Sequence, residues 1–195
     1  MKIESPEGAT PIEPDELAGL IPKHLLFQHD LNEWEQSNII SGEIWISRQR
    51  ISLDEFATMM FIHKCHYKMF DKTWRWAGQF RTTDKNIGIC WTQISAQLKN
   101  LCDDLLYQVY HHIYPLDEIA IRFHHRLVGI HCFPNGNGRH ARIMTDFMLN
   151  VLHHEKFNWG KKDLMHTSES RTSYITALKA ADKGNYGSLL EFARA

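Results

Sequence analysis

The stretch His131-Cys132-Phe133-Pro134-Asn135-Gly136-Asn137-Gly138-Arg139-His140-Ala141-Arg142 decides how this chain is read. Two glycines flank Asn137, and glycine reaches backbone angles barred to other residues, so main-chain N–H groups there approach an anion closely. Downstream, Ile143, Met144, Phe147, Met148 and Val151 recur at helical spacing, which predicts a helix beginning near Gly138 whose first N–H groups face the turn. The positive end of that helix dipole favours a bound phosphate. Arg139 and Arg142 stand three apart on one face of the first turn, where two guanidinium forks suit successive phosphate groups. His131 carries an imidazole that, at its ordinary pKa of about 6.5, takes a proton from a hydroxyl near neutral pH. Phe133, apolar within a polar loop, reads as a wedge fixing the loop against the core. A lone Gly-Asn-Gly is ordinarily a turn, and a lone histidine ordinarily structural. Their conjunction points to a phosphate site with a base beside it.

Around this loop the periodicity is helical. A helix is expected over about 24–40, and another from Ser52, where Glu55 completes a capping box and Phe56, Met59, Met60, His63, Tyr67 and Phe70 recur at core spacing. Ile94, Leu98, Leu101, Leu105 and Val109 form a single stripe, as do Ile119, Phe123, Leu127 and Ile130 in the helix leading into the loop. Two shorter helices follow, one carrying Tyr174, Ala177, Leu178 and Ala181, the other from about Gly187. The fold class is therefore an all-α bundle. Its one irregular excursion lies between 76 and 92, where Gln79–Thr83 and Ile87–Trp91, separated by Asp84-Lys85-Asn86, read as two short strands of a β-hairpin. Pro6, Pro11, Pro14 and Pro22 predict an extended, partly mobile arm over 1–22.

Composition narrows the function. The chain has 195 residues, with 22 Lys and Arg against 23 Asp and Glu, a balance that offers no basic surface for nucleic acid. No segment approaches about 18 consecutive apolar residues and the first residues lack an apolar run, so no membrane partner is expected and a cytoplasmic protein is. The cysteines, Cys65, Cys90, Cys102 and Cys132, lack a C-x-x-C pair and read as free thiols. Thirteen histidines raise the question of zinc, but His111-His112, His124-His125 and His153-His154 are adjacent pairs that diverge around a helix. His124 is expected buried and hydrogen-bonded.

The loop resembles the signature of the Fic family, His-x-Phe-x-[Asp/Glu]-Gly-Asn-Gly-Arg-x-x-Arg, at every defined position but one. From about Thr10 to Ala193 the chain also resembles the branch called mobile mystery protein B, through Leu31-Asn32-Glu33-Trp34-Glu35-Gln36, the run from Trp74 to Gly88, and Phe123-His124-His125-Arg126-Leu127. The resemblance implies a single Fic domain over 23–195 that transfers AMP from ATP to a Ser, Thr or Tyr hydroxyl of a target protein, and also of itself. The alternatives within the fold are a phosphotransferase, a transferase of another nucleotide, or a nucleotide-binding regulatory module without turnover. It makes His131 the general base, Gly136, Asn137 and Gly138 the anion hole, and Arg139 and Arg142 the neutralisers of the outer phosphates.

The departure is Asn135, which stands where the family has an acidic residue that binds Mg2+ with the nucleotide; an amide oxygen ligates a hard cation without charge. The hairpin becomes a flap beside the active site, with Thr83, Asp84, Lys85, Asn86, Ile87, Gly88 and Ile89 as the rim that docks an extended target segment. The family's inhibitory motif is absent, leaving Glu33 and Glu35 as carboxylates that a helix could offer to Arg142, a small inhibitory partner protein that supplies one, or a constitutively active chain. Tyr174 and Tyr186 are adenine neighbours by the same analogy.

Overall fold

The computed structural model describes residues 13–25, 27–161 and 168–195. Among these residues the architecture is all-α: α1 (Pro14–Leu17), α2 (Gln28–Ser47), α3 (Leu53–Phe56), α4 (Met59–Phe70), α5 (Ile94–Tyr110), α6 (Leu116–Ile130), α7 (Asn137–Val151), α8 (Ser168–Ala181) and α9 (Gly187–Arg194). Helix α6 packs between α5 and α7, α2 lies along α4, α4 touches α7, and α8 pairs with α9. The stripes expected on α5 and α6 are buried to the last residue. Phe133 is fully buried between these layers, a placement that stabilises the loop by about 2–3 kcal/mol of apolar burial.

The helix expected from Ser52 is in fact two. The Ser52–Glu55 capping box forms, with Glu55 N donating to Ser52 Oγ at 3.2 Å and Ser52 N to Glu55 Oε2 at 2.8 Å. One turn later the chain leaves helical geometry at Ala57, and Thr58 caps a new helix by accepting from Phe61 N at 3.2 Å. The restart rotates the apolar face. Phe61, Ile62, Cys65, His66, Met69 and Phe70 enter the core, whereas Met60 and Tyr67, expected inside, are 76% and 48% exposed. A second cap so close to the first breaks the phase that a single periodic reading assumes.

Of the arm expected over 1–22, residues 1–12 lie outside the described residues. Residues 13–22 are not simply extended: Pro14–Leu17 makes a helical turn with proline in its first turn, where the missing N–H costs nothing. The following residues run against the segment after α4, with Ile21 N donating to Thr73 O and Arg75 N to Gly19 O, each at 2.9 Å.

No β-strand occurs among the described residues, so the expected hairpin over 79–91 is corrected to an irregular loop. Arg81 explains it. This side chain is buried, and its guanidinium donates from Nη1 to Thr83 O at 2.8 Å and from Nη2 to Ile89 O, so it bridges both arms of the loop. Carbonyls that would have entered a strand ladder are satisfied by a side chain between the arms.

Candidate active site

Helix α6 ends at His131, which adopts the left-handed conformation (φ 54°, ψ 60°). For a residue with a Cβ this costs roughly 1 kcal/mol or more, strain of a kind that collects at functional sites. The imidazole is 5% exposed, and Arg81 Nε donates to the His131 carbonyl at 2.6 Å. Burial, followed by the charges of Arg81 and Lys85, draws its pKa down to about 4. It is therefore neutral, the form that accepts a proton, at physiological pH.

The turn after Phe133 is built for close approach. Gly136 caps α7 at φ +79°, and a Cβ there would lie 2.5 Å from Phe70 Cζ, so both backbone angle and space demand glycine. Asn137 is a strut: its Oδ1 accepts from Phe133 N at 2.9 Å and its Nδ2 donates to Phe133 O at 2.8 Å. The Asn137 side-chain amide is thus spent inside the loop, which leaves its main chain for the expected anion hole. Its N–H, with those of Gly138 and Arg139, belongs to the first turn of α7, where no intrahelical acceptor exists.

Three guanidinium groups meet near this helix start. Arg142 is set against Tyr174, which hydrogen-bonds to it, and burial followed by Arg139 lowers its pKa. Arg171, from α8, is lowered first by burial and then by Arg142 and Arg139. Each charge raises the cost of the others, so a polyanion would relieve all three. Tyr174, an adenine neighbour by analogy, is buried, with its hydroxyl 2.9 Å from His124 Nε2. It also touches Arg142, and His124 is buried as expected.

Arg139 is engaged. Its Nη1 donates to Glu35 Oε2 at 2.8 Å, while Glu35 Oε1 accepts from Trp74 Nε1 at 2.6 Å. The carboxylate expected at Arg142 thus reaches the other motif arginine. Glu33 is exposed and is in no ion pair with either arginine among the described residues. The helical period explains the difference: Glu35 shares the inward face of α2 with Leu31, Asn38 and Ile39, and Glu33 does not.

Asn135 Oδ1 accepts from Gly136 N at 2.7 Å and from Arg139 Nη2 at 3.4 Å, and no group of three or more His, Cys, Asp or Glu side chains able to hold a metal occurs among the described residues. One neutral, already engaged amide oxygen is a donor set too poor for a resident Mg2+.

The loop expected as a flap packs over His131. Gly88, at φ +100°, packs so closely that a Cβ would lie 2.6 Å from His131 Cβ. Thr83, Asp84, Asn86, Ile87 and Gly88 are exposed and Ile89 half-buried, so the rim is accessible. Lys85 turns inward, its ammonium 2.7 Å from Glu16 Oε1 with its side chain 2% exposed. Arg81, Arg171 and Glu16 were not legible as site elements, because nothing in their spacing links them to the loop.

An α-helical bundle with a helix N-terminus, clustered arginines and a buried base at one loop defines a class, and comparison with known proteins names it. Residues 56–149 match the sequence profile of the Fic/DOC family. It is similar to the protein adenylyltransferase fic-1 of Caenorhabditis elegans, 30% identical over 122 residues that make up 60% of this chain and 22% of that protein; the chain spans about a fifth of that relative's length. Among solved structures, BepC from Bartonella tribocorum with bound AMPPNP superposes with a TM-score of 0.69 at 17% identity, covering 93% of this chain and 97% of that one. A fragment of C. elegans Fic-1 gives 0.65 at 22%, covering 92% and 51%. These likenesses bear out the fold. No described helix is long and apolar enough to cross a membrane.

Proposed function

We propose that this protein, with residues 23–195 as one catalytic domain, is a protein adenylyltransferase that moves AMP from ATP to a Ser, Thr or Tyr hydroxyl of a target protein. The observation that carries the reading is the placement of a neutral, strained His131 against the glycine-capped start of α7 and its arginines. The fic-1 relative is itself named as an adenylyltransferase, and the BepC structure holds an ATP analogue.

His131 accepts the proton of the target hydroxyl, whose oxygen attacks the α-phosphorus. The bond to the β-phosphate oxygen breaks, and pyrophosphate leaves with its charge met by first-turn N–H groups, Arg139 and Arg142. The exposed rim from Thr83 to Ile89 docks an extended target segment over His131, drawing on main-chain groups rather than a side-chain code. Mg2+ arrives as the counter-ion of ATP, with the Asn135 amide as at most one neutral ligand.

Glu35 is an inhibitory carboxylate in this reading. Arg139 must exchange it for phosphate, so the chain restrains itself without a separate inhibitory partner. The neutral Asn135 favours a second reading, a module that binds nucleotide with little turnover. Incubation with α-labelled or γ-labelled ATP separates the two: label from the α position alone, lost in His131→Ala, is expected, whereas nucleotide binding without protein label selects the module and γ label selects phosphate transfer.

A further inference from the structure

His66 lies on α4, outside the signature, and is fully buried. Its Nδ1 accepts from Gly78 N at 3.0 Å, and its Nε2 donates to Asn135 O at 3.0 Å. The first partner is the residue from which the flap departs; the second belongs to the peptide that immediately precedes the cap of α7. Only one tautomer satisfies both ends: the proton must sit on Nε2, because Nδ1 faces a donor. Burial first, then His140, holds the pKa well below the ordinary value, with Arg139 and His63 adding to the shift. The ring is stacked on Phe133 at 3.7 Å between centroids and 16°, and His63 Nδ1 donates to Gly78 O from the next turn of α4. Gly78 is thereby gripped at both its N–H and its C=O.

We propose that His66 is a positioning residue that couples the root of the flap to the phosphate loop through its two ring nitrogens. The Asn135–Gly136 peptide has its carbonyl drawn inward by His66. Without that donor the peptide keeps Gly136 N donating to Asn135 Oδ1 at 2.7 Å, but its carbonyl loses the inward pull, and a rotation would present that oxygen to the anion, which repels phosphate. Through Nδ1 the same rigid ring sets where Gly78 stands, and the flap follows from Gly78 to Arg81 and on to Gly88 over His131. Nucleotide at the loop and target at the flap therefore meet one shared support. The coupling rests on the loop being a nucleotide site, but not on AMP transfer.

The two ends separate by substitution. His66→Asn keeps an acceptor at the Nδ1 position and loses the donor to Asn135; His66→Gln does the reverse. Hydrogen exchange without ligand is expected to rise about fivefold or more at residues 135–138 in His66→Asn alone, and at 78–83 in His66→Gln alone. ATP affinity should fall about tenfold in His66→Asn and stay within about twofold in His66→Gln. In the unaltered protein, ATP should slow exchange at 78–83. Equal changes at both segments in both variants, or an ATP-bound protein whose 78–83 exchange matches the free one, would overturn the proposal and leave His66 an ordinary core histidine. If ATP fails to bind the unaltered protein, the nucleotide reading falls, while the ligand-free exchange pattern still decides the support role.

Discussion

Replacing Glu35 by glutamine should tighten ATP binding, and the size of the effect follows from the geometry at Arg139. The Arg139–Glu35 contact is 2.8 Å, with the side chains 20% and 9% exposed. At about 4 Å between charge centres and an effective dielectric of about 20, the attraction is about 4 kcal/mol, and the desolvation of both groups cancels a large part of it. A nucleotide must displace this attraction before its phosphate gains Arg139. Glutamine retains an oxygen for Trp74 Nε1, which donates to Glu35 Oε1 at 2.6 Å, so α2 stays anchored while the competing charge disappears. Recovering about 1.4 kcal/mol corresponds to a tenfold lower Kd. Calorimetric titration of Glu35→Gln with a non-hydrolysable ATP analogue measures it, and Glu33→Gln, altering an exposed residue, should match the unaltered protein. The melting temperature of Glu35→Gln should fall, since a partly buried pair is broken. Unchanged or weaker binding in Glu35→Gln would refute the competition and make the contact a fold strut alone.

Gly88→Ala places a Cβ 2.6 Å from His131 Cβ at a φ of +100°; kcat should drop about tenfold or more while ATP affinity holds, and a fall in both would show that the flap supports the phosphate loop directly. Asn135→Asp should raise Mg2+-dependent transfer, read as AMP incorporated per minute over a Mg2+ series, and a flat response would show that the amide does not limit the reaction. The buried His124 and His140 are each drawn down by burial to about 3, against an unfolded value of about 6.5. Below that value the unfolded chain binds protons the folded one refuses, so stability is full above about pH 6.5 and falls as pH drops, by up to about 2.7 kcal/mol per unit for the two together. For a typical margin, acid unfolding is expected near about pH 4, and urea midpoints unchanged between pH 6.5 and 4.5 would contradict it.

The amino-acid sequence by itself determined the helical class, the stripes on α5 and α6, the start of α7 and the nearness of His131, Arg139 and Arg142 to it. Each of these is written within about one helical turn to a few turns, where spacing alone places residues on a face. Even so, two caps in close succession shifted the phase of α4, because the two-residue break at Ala57 and Thr58 rotates everything after it. What the tertiary structure decided lies across long separations: Glu35 on Arg139 rather than Arg142, Tyr174 against Arg142, and Arg81 holding open a loop whose residues read locally as a hairpin. Those outcomes depend on which partner a buried charge or carbonyl meets when the helices pack. A long-range contact is chosen by the need to satisfy desolvated polar groups, and that need has no local period to read.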